Sequence, residues 1–396
     1  ILPSRTAPGM FRKPERPDPQ RVLSEAADAG NFDHYLATLV PKGRRYAQLK
    51  TALARYRAIA AKGGWSKVSA GPTLKPDMKD PRIVEVRNRL RATGDLKETS
   101  PDPTEFDKVL QAAVKRFQDR HGLTEDGAVG RNTLAAMNMP VERRIRQLEI
   151  NMERRRWMPD SLGSYYLWVN LADFYLKVVK NTETIHTARL IVGKTYTRTP
   201  IFSSELKYIL FNPRWNVPYS IASKEMLPKI KKDPGYLGRN NYELLGRNGK
   251  PIDPNSVDWS EVSKGNFRYF IRQEAGPGNA LGEVAFMFPN KFNVFIHDTN
   301  ARHLFGRTVR AFSHGCMRLQ HPHKLAVLLL KEKEGWSMDR IKRIVATRKP
   351  ASVYLPKPIP VHVTYITAWA DRDGTVNFRR DIYNRDSALI KALGRS

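Results

Sequence analysis

The stretch Ser313-His314-Gly315-Cys316-Met317-Arg318 contains the only cysteine among the 396 residues of the chain. Gly315 lets backbone N–H groups approach the sulfur closely, and such groups can stabilise an oxyanion during acyl transfer. The guanidinium of Arg318 and other nearby cations favour the thiolate form of a cysteine. The stretch therefore predicts a reactive thiol at Cys316, with a buried cysteine that packs as a small apolar side chain as the alternative.

A histidine that could deprotonate this thiol lies nineteen positions upstream. His297 ends the apolar, alternating residues 294–296 and precedes the polar residues 298–300. This pattern predicts a strand with the imidazole at its edge. Cysteine catalysis needs such a neighbour, because the imidazole takes the thiol proton and later gives a proton to the leaving amine. The sequence thus predicts that Cys316 and His297 act as a pair.

A zinc site is a rival interpretation of the same segment. Four potential ligands, His314, Cys316, His321 and His323, lie within ten residues. However, no C-x-x-C pair or H-E-x-x-H helix accompanies them, and Pro322 keeps the last two histidines off a regular helix face. We therefore expect no metal and no other cofactor.

The order of these motifs resembles the active-site signature of the L,D-transpeptidases, cysteine enzymes that cross-link bacterial peptidoglycan. The resemblance is carried by His297-Asp298-Thr299, the Phe305-Gly306 pair and the heptad from Ser313 to Leu319. Asp298 stands where many short members carry glycine, which is similar to the larger, multi-domain members of the family.

The resemblance implies a role for each residue of the motif. Cys316 would attack a peptide carbonyl, with His297 as its general base. Ser313 would help to hold the catalytic loop and the histidine. Arg318 would either order the loop or bind a substrate carboxylate, since arginine suits both bidentate tasks. The oxyanion hole would be formed by the backbone amides of His314, Gly315 and Cys316.

The reaction implied by the family is a transfer of an acyl group between stem peptides. The cysteine would release the terminal D-alanine of a stem tetrapeptide, and an amine of a neighbouring stem would take the acyl group to form a 3-to-3 cross-link. The family also implies acylation by carbapenems. Two other functions stay open, a non-catalytic cell-wall-binding protein and a cysteine hydrolase of stem peptides.

The chain is strongly basic along its whole length, with 68 Lys and Arg against 39 Asp and Glu and a formal net charge of +29. Such a surface favours polyanionic partners. The charge alone does not choose among nucleic acid, anionic lipid and the acidic bacterial envelope, but no nucleic-acid-binding module accompanies it, so we expect no nucleic acid. The resemblance implies peptidoglycan stem peptides and glycan strands as partners. No apolar run is long enough for a membrane span or a leader. We expect a monomer of the periplasm or cell envelope whose export signal lies outside this sequence.

The periodicity predicts an α+β multi-domain protein. We assign a proline-rich lead-in and helical scaffold to residues 1–75, a three-helix unit to 76–139, a further scaffold helix to 140–160 and a catalytic domain to 161–396. Helical periodicity begins after Asn31, which is a suitable N-cap.

The three-helix unit has a loop pattern that is more specific than its apolar face. Any small helical bundle needs an apolar face, here expected at Phe106, Val109, Leu110, Ala113, Val114 and Phe117. The loop residues that follow this helix resemble the small peptidoglycan-binding domain of cell-wall enzymes. They are Gly122-Leu123, Asp126-Gly127, Val129-Gly130 and Thr133-Leu134.

From Ser164 the hydrophobic period changes to two, which predicts a mostly antiparallel β catalytic domain. Residues 211–218 resemble a strand and turn of the large transpeptidases, which implies that Trp215 either lines the cleft or packs beneath it. A region of about residues 221–288 lacks periodicity, and the resemblance matches it to a capping insertion. We predict a mobile lid whose aromatic side chains keep water from the thioester.

Overall fold

The computed structural model describes residue 3 and residues 9–11, 18–159 and 161–394, so most of the predicted lead-in over residues 1–20 lies outside the described residues. In this part of the chain no helix is both long and apolar enough to cross a membrane. The helices are α1 (Pro19–Asp28), α2 (Phe32–Thr38), α3 (Arg44–Ala61), α4 (Arg82–Ala92), α5 (Lys108–Arg120), α6 (Arg131–Met137), α7 (Val141–Arg156), α8 (Tyr219–Ile221), α9 (Leu227–Lys232), α10 (Tyr236–Arg239), α11 (Pro322–Leu330), α12 (Met338–Ala346) and α13 (Arg385–Ala392).

The strands begin after the last scaffold helix and continue almost to the end of the chain. They are β1 (Tyr165–Asn170), β2 (Tyr175–Lys180), β3 (Glu183–Gly193), β4 (Phe202–Phe211), β5 (Trp215–Asn216), β6 (Tyr242–Leu245), β7 (Pro251–Ile252), β8 (Phe270–Gln273), β9 (Val284–Met287), β10 (Ile296–His297), β11 (Ala311–Ser313), β12 (Met317–Leu319), β13 (Ala351–Thr364), β14 (Ala368–Ala370) and β15 (Val376–Phe378).

The first helices begin at side-chain caps. The Oδ1 atom of Asn31 accepts a hydrogen bond from the backbone N–H of His34 at 2.9 Å, so Asn31 is the N-cap of α2 as predicted. Helix α1 was not predicted. It begins behind Asp18, whose carboxylate accepts from the Gln20 backbone N–H, and its proline at the first turn was interpreted as part of an extended lead-in.

The helical scaffold is built on α3 and α7, which are far apart in sequence. Their contact places Tyr46, Leu49 and Tyr56 of α3 against Leu148 and Met152 of α7 in one apolar cluster. The α3 residues are three and seven positions apart and the α7 residues are four apart, so the packing follows from the sequence periodicity.

The β14–β15 hairpin completes the scaffold core. Ala368, Ala370, Val376 and Phe378 lie in the same apolar cluster as α3 and α7, and the Phe378 ring lies 5.5 Å from that of Tyr56. The predicted division, which placed all of residues 161–396 in the catalytic domain, is wrong for this hairpin. Its two short strands carry no signal of which distant helices they contact.

Helices α4, α5 and α6 form the three-helix unit around its own core. Phe106, Leu110 and Phe117 are fully buried there. The Asp107 carboxylate caps α5 by accepting from the Leu110 backbone N–H at 2.7 Å. Val109, which was expected on the buried face, is 41% exposed because the apolar face is narrower than the sequence suggested.

Nine strands form the catalytic sheet in the order β11-β3-β12-β10-β9-β4-β13-β1-β2, and β2 also pairs with β3, so that the sheet closes on itself. The β1/β13, β10/β12 and β11/β3 pairs are parallel. The other pairs are antiparallel. The predicted fold class, α+β with a mostly antiparallel catalytic sheet, is confirmed. Helices α11 and α12 pack on the apolar core of this sheet.

A smaller sheet, in the order β5-β8-β6-β7, forms a capping subdomain over residues 215–273 together with α8 to α10. It has an apolar core of its own, which includes Ile230, Leu237, Leu244, Trp259 and Ile271. Its strands have only two to four residues, which is too short for a periodic signal. The predicted insertion over residues 221–288 extends too far, because β9 lies between β10 and β4 in the catalytic sheet.

Candidate active site

The fold brings the predicted pair together at two neighbouring parallel strands. His297 ends β10, and Cys316 immediately precedes β12, with Ile296 opposite Met317 and His297 opposite Arg318. Both Cys316 and His297 line one cleft of about 910 Å³ between the catalytic sheet and the capping subdomain. Four other predicted site residues line the same cleft, namely Trp215, Ser313, His314 and Arg318.

The loop before Cys316 is closed by the side chain of Ser313. Its hydroxyl donates to the backbone carbonyl of Cys316 and accepts from the backbone N–H of Gly315 at 3.2 Å. Gly315 has a φ of 130°, a conformation that favours glycine. Ser313 thus holds the loop, as the resemblance implied, but its described hydrogen bonds do not include His297.

The predicted oxyanion hole needs a correction at one position. The Gly315 N–H is already engaged by Ser313 Oγ, and Gly315 is not among the residues that line the cleft. Within the described residues, the backbone N–H groups of His314 and Cys316 donate to no other group. These two amides, and not that of Gly315, are therefore available to a ligand.

Thr197 and Thr199 hold the loop from behind through hydrogen bonds, and the sequence analysis did not predict their role. Thr199 Oγ1 donates to the Gly315 carbonyl at 2.8 Å, and Thr197 Oγ1 donates to the Ser313 carbonyl at 3.0 Å. Thr199 Oγ1 also accepts from the Gly193 N–H at 2.9 Å. A Cβ at Gly193 would lie 2.1 Å from the Thr197 carbonyl oxygen, so the close approach of these segments requires glycine there.

Burial dominates the electrostatics of the cysteine. It raises the pKa of the Cys316 thiol to about 11, although the backbone of Phe295 and the charge of Arg318 act in the opposite direction. The Sγ atom faces the Asn293 carbonyl oxygen at 3.8 Å. Arg318 thus favours the thiolate, as predicted for nearby cations, but the loss of solvation has the larger effect on the pKa of Cys316.

The histidine is also neutral in this structure. Burial, followed by the charge of Arg318, lowers the pKa of His297 to about 3, and contacts with the Asp298 and Leu281 backbones offset part of this change. His297 Nδ1 lies 2.5 Å from the Asp298 carbonyl oxygen. This acceptor favours the tautomer with hydrogen on Nδ1, which leaves the lone pair on Nε2.

Arg318 is the cation shared by both groups. Its charge lowers the pKa values of Cys316 and His297, so it favours the thiolate and disfavours the imidazolium. Burial lowers the pKa of Arg318 itself. The buried Nε of Arg318 has no hydrogen-bond partner among the described residues. The guanidinium therefore retains donor capacity on the cleft side of β12.

Asp298 ties the strand end of His297 to the preceding loop. Its Oδ2 accepts from the Glu283 N–H and from Arg302 Nη2, each at 3.0 Å. A Cβ at Gly282 would lie 2.3 Å from this oxygen, and Gly282 has a φ of 63°. Asp298 and Gly282 thus fix the segment that follows Leu281, whose backbone contacts His297.

The capping subdomain reaches the catalytic loop through a charged side chain. Glu225 Oε1 lies 2.7 Å from His314 Nε2, and Glu225 also lines the cleft. The same wall carries Trp215, whose ring lies 6.3 Å from that of Tyr242, and Tyr242 stacks on Tyr236 at 6.1 Å. Trp215 is partly exposed to the cleft and also packs on the capping core. Both of its predicted roles are thus compatible with its position.

The four candidate zinc ligands do not converge. His314 faces Glu225, and His323 Nε2 lies 3.1 Å from Glu283 Oε2. Within the described residues, no group of three or more His, Cys, Asp or Glu side chains is arranged to hold a metal ion.

Three segments of the chain match models of known protein families. Residues 164–342 match the YkuD family model, the L,D-transpeptidase catalytic domain. Residues 79–137 match a candidate peptidoglycan-binding domain, and residues 1–53 match a model described as a scaffold domain. The L,D-transpeptidase match begins one residue before β1 and includes both Cys316 and His297.

A curated protein is also similar to part of this chain. It is a Haemophilus influenzae protein named as a candidate L,D-transpeptidase, 36% identical over 243 residues. The alignment covers 61% of this chain and 48% of the relative, so the chain spans about half the length of the curated relative it matches.

Solved L,D-transpeptidases show only a weak likeness. The enzyme of Stackebrandtia nassauensis is 15% identical, with 77% of this chain and 100% of that chain covered and a TM-score of 0.29. For that of Xylanimonas cellulosilytica the identity is 14%, the coverage 75% and 99%, and the TM-score 0.24.

Proposed function

We propose that this protein is a peptidoglycan L,D-transpeptidase that forms 3-to-3 cross-links through a thioester on Cys316. The observation that carries the proposal is the position of Cys316 and His297 on two neighbouring parallel strands, with His297 opposite Arg318 and both Cys316 and His297 lining one cleft. A thiol and an imidazole so placed can exchange a proton across the reacting carbonyl.

In the first half-reaction, Cys316 Sγ forms a bond to the carbonyl carbon of the L-centre residue of a donor tetrapeptide. Because thiol and imidazole both start neutral, the proton moves from Sγ to His297 Nε2 during the attack. The carbon–nitrogen bond to the terminal D-alanine then breaks, and His297 returns the proton to the leaving amine. The product is a thioester and free D-alanine.

In the second half-reaction, an amine of a neighbouring stem attacks the thioester carbon. His297 takes a proton from this amine, the carbon–sulfur bond breaks, and the sulfur leaves as thiol after it receives that proton. The result is a new amide between two stems and the free enzyme, so that no oxidant, metal or organic cofactor is consumed.

The negative charge that develops on the carbonyl oxygen must be stabilised by hydrogen-bond donors. The backbone N–H groups of His314 and Cys316 are the available pair, since that of Gly315 is engaged by Ser313. Preorganised backbone donors of this kind contribute about 3 to 4 kcal/mol to acyl transfer. Their position is set by Ser313 and by the threonine segment behind the loop.

Substrate binding is assigned to the two walls of the cleft. The unpartnered donor of Arg318 suits a carboxylate of the stem peptide. On the opposite wall, Trp215 offers apolar contact area. The peptidoglycan-binding match over residues 79–137 suggests that the same chain also holds the wall polymer, and it supports a location in the periplasm or cell envelope.

The test is an incubation of the purified chain with disaccharide tetrapeptide, followed by separation and mass analysis of the products. A cross-linked dimer and free D-alanine are expected from the wild type, with neither formed by Cys316→Ala. Release of D-alanine with no dimer would favour the hydrolase. Retained sacculus binding without turnover in the wild type would instead favour a wall-binding protein.

A further inference from the structure

A second cavity, of about 440 Å³, lies where the scaffold meets the catalytic sheet. We call it the scaffold cavity. Residues of α3 and α7 line one side, residues of β1 and β2 line another, and the hairpin that begins with β14 closes the third. None of its lining residues lines the catalytic cleft. A cavity of this size accommodates a ligand of sugar size.

Unpaired cations are the main feature of the scaffold cavity. Arg44, Arg45, Arg155 and Lys177 line it, and in the described part of the chain none of them forms an ion pair. Like charges gathered around a partly buried space repel one another unless an anion lies between them. The arrangement therefore favours a negatively charged ligand.

The acidic side chains of the lining do not neutralise these cations. Asp173 pairs with Arg379, with Nε and Oδ1 2.5 Å apart. Glu183 lies 3.8 Å from Arg372, and Asp371 accepts hydrogen bonds from two neutral side chains. Each carboxylate thus has partners other than the four unpaired cations.

Arg155 carries the strongest evidence for a ligand. Its Nε and Nη1 atoms are buried and have no hydrogen-bond partner among the described residues. Burial, followed by repulsion from Arg45, lowers the pKa of Arg155 to about 10. A buried charge without an acceptor is costly to keep, and an oxyanion at this point would offset both the lost solvation and the repulsion.

Two indole rings complete the cavity. The Trp168 ring lies 4.9 Å from the Arg45 guanidinium and 5.7 Å from that of Arg155, and Trp369 lines the opposite side. These rings provide apolar contact area beside the cations. We propose that the scaffold cavity is a second ligand site that takes an oxyanion, phosphate or carboxylate, carried on a body of about sugar size.

The first test is thermal unfolding of the full chain with inorganic pyrophosphate, against sodium chloride at the same ionic strength. Pyrophosphate should raise the Tm of the wild type, because a ligand that binds the native state stabilises it. The rise should be absent in Arg155→Met and Arg45→Met. It should persist in Arg143→Met, which removes an exposed arginine from the same helix as Arg155 but outside the cavity.

The second test distinguishes the two oxyanions by titration with a soluble disaccharide peptide of peptidoglycan, whose acids are carboxylates. Binding of either probe that weakens at least tenfold in both Arg155→Met and Arg45→Met supports the site and identifies its oxyanion. Binding of neither probe, or binding that these variants leave unchanged, would overturn the proposal. Each variant is checked for a native circular dichroism spectrum. The readout is independent of catalysis, so it stands whether or not the proposed transpeptidase activity is found.

Discussion

The two walls of the catalytic cleft are built in different ways. The wall with Cys316 and His297 consists of strands of the closed sheet, and the hydroxyls of Ser313 and Thr199 hold its loop by donating to backbone carbonyls. The capping wall has an apolar core of its own and meets the catalytic loop at Glu225. The comparison suggests that rigid pairing fixes the reacting groups, while a separately folded subdomain covers the substrate.

The largest effect is expected for His297, the proposed base, on the wall formed by the closed sheet. His297→Gln should lower kcat/KM for cross-linking by about 100-fold to 10,000-fold, the range that a general base contributes. Initial rates with a soluble tetrapeptide donor measure this change. His303→Gln, which alters an exposed histidine outside the cleft, should leave the rate unchanged. Equal rates for His297→Gln and the wild type would remove His297 from the mechanism.

The next largest effect is expected for Thr199, which holds the catalytic loop from behind. Thr199→Val keeps the shape of the side chain but removes its contacts with the Gly315 carbonyl and the Gly193 N–H. An unsatisfied buried group costs about 1 to 3 kcal/mol, so we expect kcat to fall about 10-fold to 100-fold with a smaller change in KM.

The matched control for Thr199→Val is Thr195→Val, in which the altered side chain is exposed. Its kcat and Tm should equal those of the wild type. A Thr199→Val variant that lowers Tm but keeps the wild-type kcat would show that Thr199 stabilises the fold without positioning the catalytic loop.

A smaller effect is expected for the charges around the Cys316 thiol, on the wall formed by the closed sheet. Because burial raises the pKa of the Cys316 thiol to about 11, the rate of alkylation by iodoacetamide should keep rising with pH up to pH 10 or so, without a plateau near neutrality. In Arg318→Met the thiolate loses a stabilising cation. Its pKa should rise further, so alkylation at pH 8 should be several-fold slower, within about tenfold.

Arg307→Met, at an exposed position outside the cleft, serves as the control for this titration and should reproduce the wild-type profile. A wild-type plateau that begins near pH 7 would show that the resting thiol is already ionised. The neutral starting pair of the proposed mechanism would then be wrong.

The smallest effect is expected on the capping wall. Glu225→Gln weakens the contact with His314 and should leave acylation of Cys316 within about threefold of wild type, because exposed charge pairs contribute about 1 kcal/mol or less. If the capping subdomain acts as the predicted lid, the ratio of thioester hydrolysis to transfer should rise several-fold. Product analysis measures this ratio, and Glu261→Gln, at an exposed capping position, is the control. An unchanged ratio would argue against coupling through this contact.

The sequence predicted which residues meet at the cleft better than it predicted their surroundings. Cys316, His297 and Arg318 could be found because a short motif and a strand end mark them. Thr199 and Glu225 could not, since they reach the catalytic loop across separations of 116 and 89 residues. The hairpin at Phe378 was assigned to the wrong core for the same reason. Such contacts depend on strand order, which local patterns do not specify.

The charge state of the Cys316 thiol is a second property that the sequence alone could not predict. From the local sequence, Arg318 and its neighbours are expected to favour the thiolate. In the structure, burial has the larger effect on the pKa of Cys316 and raises it. Burial depends on the walls of the cleft, which include the capping subdomain, so it could be evaluated only after the fold was known.

The most direct test of the central claim is the intact mass of the protein after brief exposure to a tetrapeptide donor in the absence of an acceptor, followed by peptide mapping. The account predicts one added acyl group, equal to the donor minus D-alanine, on Cys316, with none on Cys316→Ala. Turnover to cross-linked product with an unmodified Cys316, or an adduct on another residue, would contradict it.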